Sequence, residues 1–175
     1  MEVRGRRGAD AYLPHLLGHE GSGKVIAVGE GISKVSVGDL VVLGWIKGSG
    51  LEGGGVKYRC NCLPQQINAG GVTTFNEYTL VSENRVVPLP AGVPLDIAVL
   101  FGCAVPTGAG IITNDLRPIA GSSVAVFGLG GIGMSPLMAT MLFQCAKVIA
   151  IDVSADKLVL ARSFGATHTI DASTS

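Results

Sequence analysis

The sequence predicts an α/β fold in which a β-rich segment precedes the first half of a doubly wound parallel sheet. Three observations carry that expectation. An apolar run, Val124-Ala125-Val126-Phe127, feeds directly into Gly128-Leu129-Gly130-Gly131-Ile132-Gly133, which is G-x-G-x-x-G between a strand and a helix. A second apolar run, Val148-Ile149-Ala150-Ile151, ends on Asp152, 19 residues beyond Gly133. The first hundred residues instead hold strand-like segments separated by glycine turns, with little helical periodicity.

Taken in order, residues 23–28, 39–45 and 75–81 have strand character, and the last alternates Phe75, Glu77-Tyr78 and Leu80 in the manner of a half-buried strand. Gly29-Glu30-Gly31 and Val37-Gly38-Asp39 are turn signals. Residues 48–55, with five glycines among eight, read as a flexible loop rather than a linker between domains. Residues 95–101 look helical, and a second helix covers residues 107–113 after Gly102-Cys103. A strand from about Ser123 then enters the glycine loop, and residues 131–145 continue as helix. Ser154 is placed to cap a helix over residues 155–164, where Leu158, Ala161 and Arg162 recur at helical spacing. Thr167-His168-Thr169-Ile170-Asp171 reads as the third strand of a sheet that in this kind of fold has six. The expected domains are residues 1–115 and 116–175.

Composition excludes several functional classes. Thirteen basic and thirteen acidic side chains give a formal net charge of zero, so nucleic acid and anionic membranes are not expected partners. Four cysteines without a secretory leader pattern predict reduced thiols and a cytoplasmic location. Residues 118–146 contain no charged side chain and are long enough to cross a bilayer. Gly121, Ser122, Ser123, the glycine loop and Pro136 divide that stretch into a short buried strand and a helix, as a parallel sheet covered on both faces requires.

Each glycine of the fingerprint has a physical task. Gly128 permits the tight turn out of the strand, Gly130 lets the backbone approach a pyrophosphate, and Gly133 lets the helix sit close to the sheet. Phosphates would rest on the helix N-terminus around Leu129, Gly131 and Ile132, where N–H groups and the positive end of the macrodipole converge. Asp152 suits the adenosine ribose hydroxyls and repels a 2′-phosphate, so the expected cofactor is NAD rather than NADP.

Gly18-His19-Glu20-Gly21 joins this fingerprint in a telling order, with Val25-Ile26-Ala27-Val28-Gly29-Glu30-Gly31, Val37-Gly38-Asp39-Leu40-Val41 and Gly102-Cys103-Ala104-Val105-Pro106-Thr107-Gly108 between. Together they resemble the zinc-dependent alcohol dehydrogenases of the medium-chain dehydrogenase/reductase family over nearly the whole chain. The resemblance implies a GroES-like catalytic domain over residues 1–115 and a Rossmann domain over 116–175. It implies that His19 and Cys103 are ligands of a catalytic zinc and that Glu20 stands behind the metal. It also implies that Thr107 touches the nicotinamide ring and that Lys157 lies near the adenosine ribose. One such zinc per full-length chain would polarise an alcohol oxygen so that hydride passes to NAD, the substrate being a small alcohol or aldehyde.

The departures from the family are equally specific. The family's first zinc ligand is a cysteine upstream of Gly-His-Glu, and no cysteine precedes Gly18, where the polar residues include Arg4, Arg6, Arg7, Asp10, Tyr12 and His15. The chain is therefore expected to be truncated at both ends, to be inactive by itself, and to leave unpaired sheet edges prone to aggregation. Cys60-Asn61-Cys62 is C-x-C with no further cysteine until Cys103, too few ligands for a structural zinc, and its thiols are expected to be free. Cys145 reads as a small core residue. A complete homologue is expected to be at least a dimer. Two classes remain open: an NAD-dependent zinc alcohol dehydrogenase, or a dinucleotide-binding protein without competent chemistry, including a zinc-free reductase of the same superfamily.

Overall fold

A computed structural model describes Gly8 and residues 12–174; Arg4, Arg6, Arg7 and Asp10 lie outside the described residues. The chain divides into two compact units between Cys103 and Ala104.

Short strands dominate the first unit because glycines and prolines interrupt its apolar runs. β1 (Gly21–Lys24) pairs antiparallel with β2 (Leu40–Leu43), and β2 pairs antiparallel with β5 (Val86–Pro88). β3 (Val56–Tyr58) and β4 (Ile67–Gly70) form a separate antiparallel pair. Val41, Leu43, Val72 and Val86 make the core here, with Val25, Val35 and Val81 packed against it. α1 (Leu95–Ala98) continues as a 3-10 turn to Gly102, so the helix expected over 95–101 is present with a tightened second half.

Three expectations for this unit need correction. Residues 75–81 form no strand: Phe75, Tyr78 and Leu80 are all exposed, so neither face of the alternating pattern finds a core to pack on. The glycine-rich loop 48–55 is tied down rather than flexible. The buried carboxylate of Glu83 accepts the N–H groups of Ser33, Lys34 and Leu51 at 2.7, 2.7 and 2.8 Å, and Glu52 accepts from Gly54, Ser82 and Asn84. Cys60 and Cys62 are not free thiols; they form a disulfide with Cα atoms 5.2 Å apart, because the turn between β3 and β4 folds the two side chains together.

The second unit follows its sequence pattern closely. β6 (Ser123–Phe127), β7 (Lys147–Asp152) and β8 (His168–Asp171) form a parallel sheet in that order, linked by α3 (Gly131–Ala139) and α4 (Ala155–Ser163). α2 (Ala104–Gly110) runs into a π-helical segment, Ile111–Leu116. Val126, Leu129, Leu137, Val148, Ala150, Leu158 and Ala161 make its core, with Cys145 packed against it as expected. Each large aliphatic side chain fully buried there stabilises the unit by about 1.5–3 kcal/mol. The sheet departs from expectation on its other face. Ser123, Ala125 and Phe127 of β6 are exposed, Phe127 to 77%, so at β6 the sheet is not covered on both sides. Among the described residues no helix is long and apolar enough to cross a membrane by itself.

Candidate functional site

The glycine loop assigns a distinct job to each of its glycines. Gly128 sits at φ +82°, a conformation that favours glycine, and its N–H donates to the Ile151 carbonyl at 2.8 Å, so the turn is tied to β7. A Cβ on Gly133 would lie 1.8 Å from the Gly128 oxygen, which brings the first turn of α3 against the end of β6. Gly130 and Gly131 face open space, as an approaching ligand requires. Leu129 differs from its motif neighbours: its side chain is in the core and its N–H is already engaged.

Asp152 engages it. At the end of β7, its buried carboxylate accepts the Leu129 N–H at 2.6 Å through one oxygen and the Ser154 N–H at 2.9 Å through the other. These two backbone donors, Leu129 first, hold its carboxyl below the usual carboxylate range, and Lys157, 3.9 Å away, adds to the effect. Asp152 thus stays anionic while each oxygen keeps a lone pair for a further donor such as a ribose hydroxyl. Ser154 occupies the N-cap of α4 but makes no side-chain cap bond, so Asp152 satisfies the donor there. Thr107 is exposed on α2 beside Gly108, whose absent Cβ would meet the Ile132 carbonyl oxygen at 2.2 Å, so close packing holds Thr107 near the start of α3.

Within the first unit, His19 and Glu20 follow a glycine that the fold demands. Gly18 sits at φ +86°, and a Cβ there would meet the Thr74 hydroxyl at 2.5 Å and the Phe75 ring at 2.7 Å. The N–H of Phe75 donates to the Leu17 carbonyl at 3.1 Å, completing the clamp. His19 is exposed, and its ring meets Trp45 edge-on with centroids 5.8 Å apart. Gly102 packs so tightly that a Cβ would lie 2.4 Å from the Leu43 oxygen and 3.6 Å from Cα of Glu20. That contact sets Cys103, the next residue, close to the His19-Glu20 segment. Imidazole and thiolate are donors of the kind zinc takes, so the chemistry of the pair fits that metal. The number is short: among the described residues, no three His, Cys, Asp or Glu side chains gather to hold a metal ion.

Comparison with known proteins matches residues 2–91 to the alcohol dehydrogenase GroES-like domain family. Solved structures match both units. Benzyl alcohol dehydrogenase from Acinetobacter calcoaceticus is 30% identical with a TM-score of 0.82, covering 99% of this chain and 52% of its own. An alcohol dehydrogenase zinc-binding domain protein from Burkholderia ambifaria is 31% identical at TM-score 0.75, covering 93% and 50%. Zinc-dependent alcohol dehydrogenase 2 from Streptococcus pneumonia is 27% identical at TM-score 0.75, covering 99% and 50%. The chain belongs to the zinc-dependent, medium-chain alcohol dehydrogenase family. It spans about half the length of these family members, and its GroES-like part and parallel sheet are the family's fold.

Sequence reasoning gave no role to Trp45 and Arg85, which the fold stacks together beside His19. Trp45 counts in the sequence only as the end of a strand; its ring carries His19 on one side and the Arg85 guanidinium, 5.7 Å from its centroid. Arg85 also donates through Nη1 to the Trp45 carbonyl. Nothing in local spacing links residues 19, 45 and 85. A lone tryptophan followed by Ile and Lys, at the end of an apolar run, was the one available signal.

Proposed function

We propose that this chain carries the nucleotide-binding and part of the alcohol-binding machinery of an NAD-dependent zinc alcohol dehydrogenase. Residues 116–175 bind NAD and residues 1–115 serve the alcohol. The pyrophosphate lies over Gly130, Gly131 and Ile132, whose N–H groups and helix dipole neutralise it. Asp152 accepts the adenosine ribose hydroxyls, Lys157 stands beside them, and Thr107 meets the nicotinamide end. His19 and Cys103 hold zinc, with Glu20 behind them. When bound, the metal lowers the pKa of an alcohol so that hydride can leave for NAD. The ring of Trp45 packs edge-on against the His19 imidazole.

The observation that carries this reading is the Asp152 carboxylate, kept anionic at the strand end beside the open backbone of Gly130 and Gly131. Titration of NAD and NADP into the purified chain tests it. NAD should bind in preference, because like charges at Asp152 and the 2′-phosphate cost on the order of a few kcal/mol. Asp152→Ala should weaken NAD by about tenfold or more and erase the discrimination. Equal affinity of the wild-type chain for both cofactors would defeat the proposal. A second reading, a nucleotide-binding module without turnover, is favoured by the short donor set around His19 and Cys103. It is recognised by tight NAD binding with no NAD reduction in the presence of zinc and benzyl alcohol.

A further inference from the structure

We propose that Cys60 and Cys62 form a reversible dithiol/disulfide site that exchanges with low-molecular-weight thiols, with Cys62 as the attacked sulfur. Three observations support it. The bond joins residues only two apart in sequence, in the turn between β3 and β4. Closing so short a loop removes little chain entropy, so the bond does little as a structural staple. Cys62 is exposed while Cys60 is half-buried, so an incoming thiolate reaches Sγ of Cys62 more easily. Finally, the Cys62 N–H donates to Sγ of Cys60 at 3.2 Å, a contact that favours negative charge on that sulfur when the bond opens. Exposed disulfides are as a class the labile ones.

The exchange balances without further reactants. In the oxidising direction the Cys62 thiolate attacks one sulfur of a small disulfide such as oxidised glutathione, and one glutathione thiolate leaves. The Cys60 thiolate then attacks Sγ of Cys62, the mixed bond breaks, and the second glutathione thiolate leaves. Two electrons pass from the protein dithiol to the small disulfide, and the two thiol protons end on two glutathione molecules. The reducing direction retraces these steps, and Cys103 and Cys145, which are outside any disulfide, take no part.

The test uses the full chain equilibrated with mixtures of reduced and oxidised glutathione, acid-quenched, alkylated in denaturant and mapped by mass spectrometry. All four cysteines should be alkylated at the reducing end and only Cys103 and Cys145 at the oxidising end, with full return when reduced glutathione is restored. Cys60→Ser should accumulate a glutathione adduct on Cys62 several-fold faster than Cys62→Ser accumulates one on Cys60, both variants keeping the wild-type circular dichroism spectrum. Four alkylatable cysteines throughout, a bond that reduced glutathione leaves intact, pairing with Cys103 or Cys145, or faster adduct formation at Cys60 would each overturn the proposal.

Discussion

An added Cβ at Gly133 would lie 1.8 Å from the Gly128 oxygen, whereas at Gly130 it would meet nothing within 4 Å. The two positions therefore separate folding from ligand approach. Gly133→Ala must push α3 off the sheet, and overpacking of this kind costs about 1–3 kcal/mol, lowering the melting temperature by roughly 2–4 °C per kcal/mol. Gly130→Ala, at φ −75°, should leave the melting temperature within about a degree while weakening NAD, because the methyl occupies the space a pyrophosphate needs. Thermal melts and nucleotide titrations on both variants check this; a normal melt for Gly133→Ala, or undiminished NAD affinity for Gly130→Ala, would contradict it. The three glycine tasks were legible in the sequence because each depends on neighbours within the same loop. The Gly18 and Gly102 tasks were not, since their contacts, Thr74 and Leu43, are far away along the chain.

The Glu83 carboxylate bridges the loop 48–55 and the turn at residues 33–34. Its pKa lies below the ordinary 4.5 because the Leu51, Lys34 and Ser33 N–H groups stabilise the anion. A carboxyl depressed in the folded state stabilises above its unfolded pKa, and that contribution fades as pH falls through the folded value. Glu83→Gln should thus melt a few degrees below wild type at pH 7, and the gap should close progressively below about pH 4.5. A gap unchanged at pH 3 would show that Glu83 acts through packing alone. Elements of the second unit could be read from sequence because β6, β7 and α4 follow their periods without interruption. Those of the first could not: β3, β4 and β5 are three or four residues long, too short to show alternation, and β2 meets β5 across more than forty residues. Residues 75–81 show the converse error, alternation with no partner strand to make use of it.

At the scale of the whole chain, apolar surface remains outside both cores. Beside β6 lies a cleft of about 470 Å³ lined by Ile112, Leu116, Val124, Phe127 and Pro136 among others. Among the described residues, β6 pairs only with β7, so its other edge, next to that cleft, presents backbone groups that no strand pairs. The 175-residue chain should therefore self-associate as concentration rises, and Phe127→Lys should shift the onset to higher concentration in light scattering, since a charge opposes both stacking and edge pairing. Onset at the same concentration would place the contact elsewhere. That exposure was invisible in the sequence, where Val124 to Phe127 reads as a strand buried on both sides.

The bond from Leu129 N–H to the Asp152 carboxylate has a consequence for the order of events. It ties the glycine loop to the tip of the neighbouring strand before any nucleotide arrives, so the conformational entropy of ordering that loop is spent when the polypeptide folds. A ligand then meets a cradle already shaped, and its encounter is governed by diffusion and by what it can touch rather than by waiting for the loop to close.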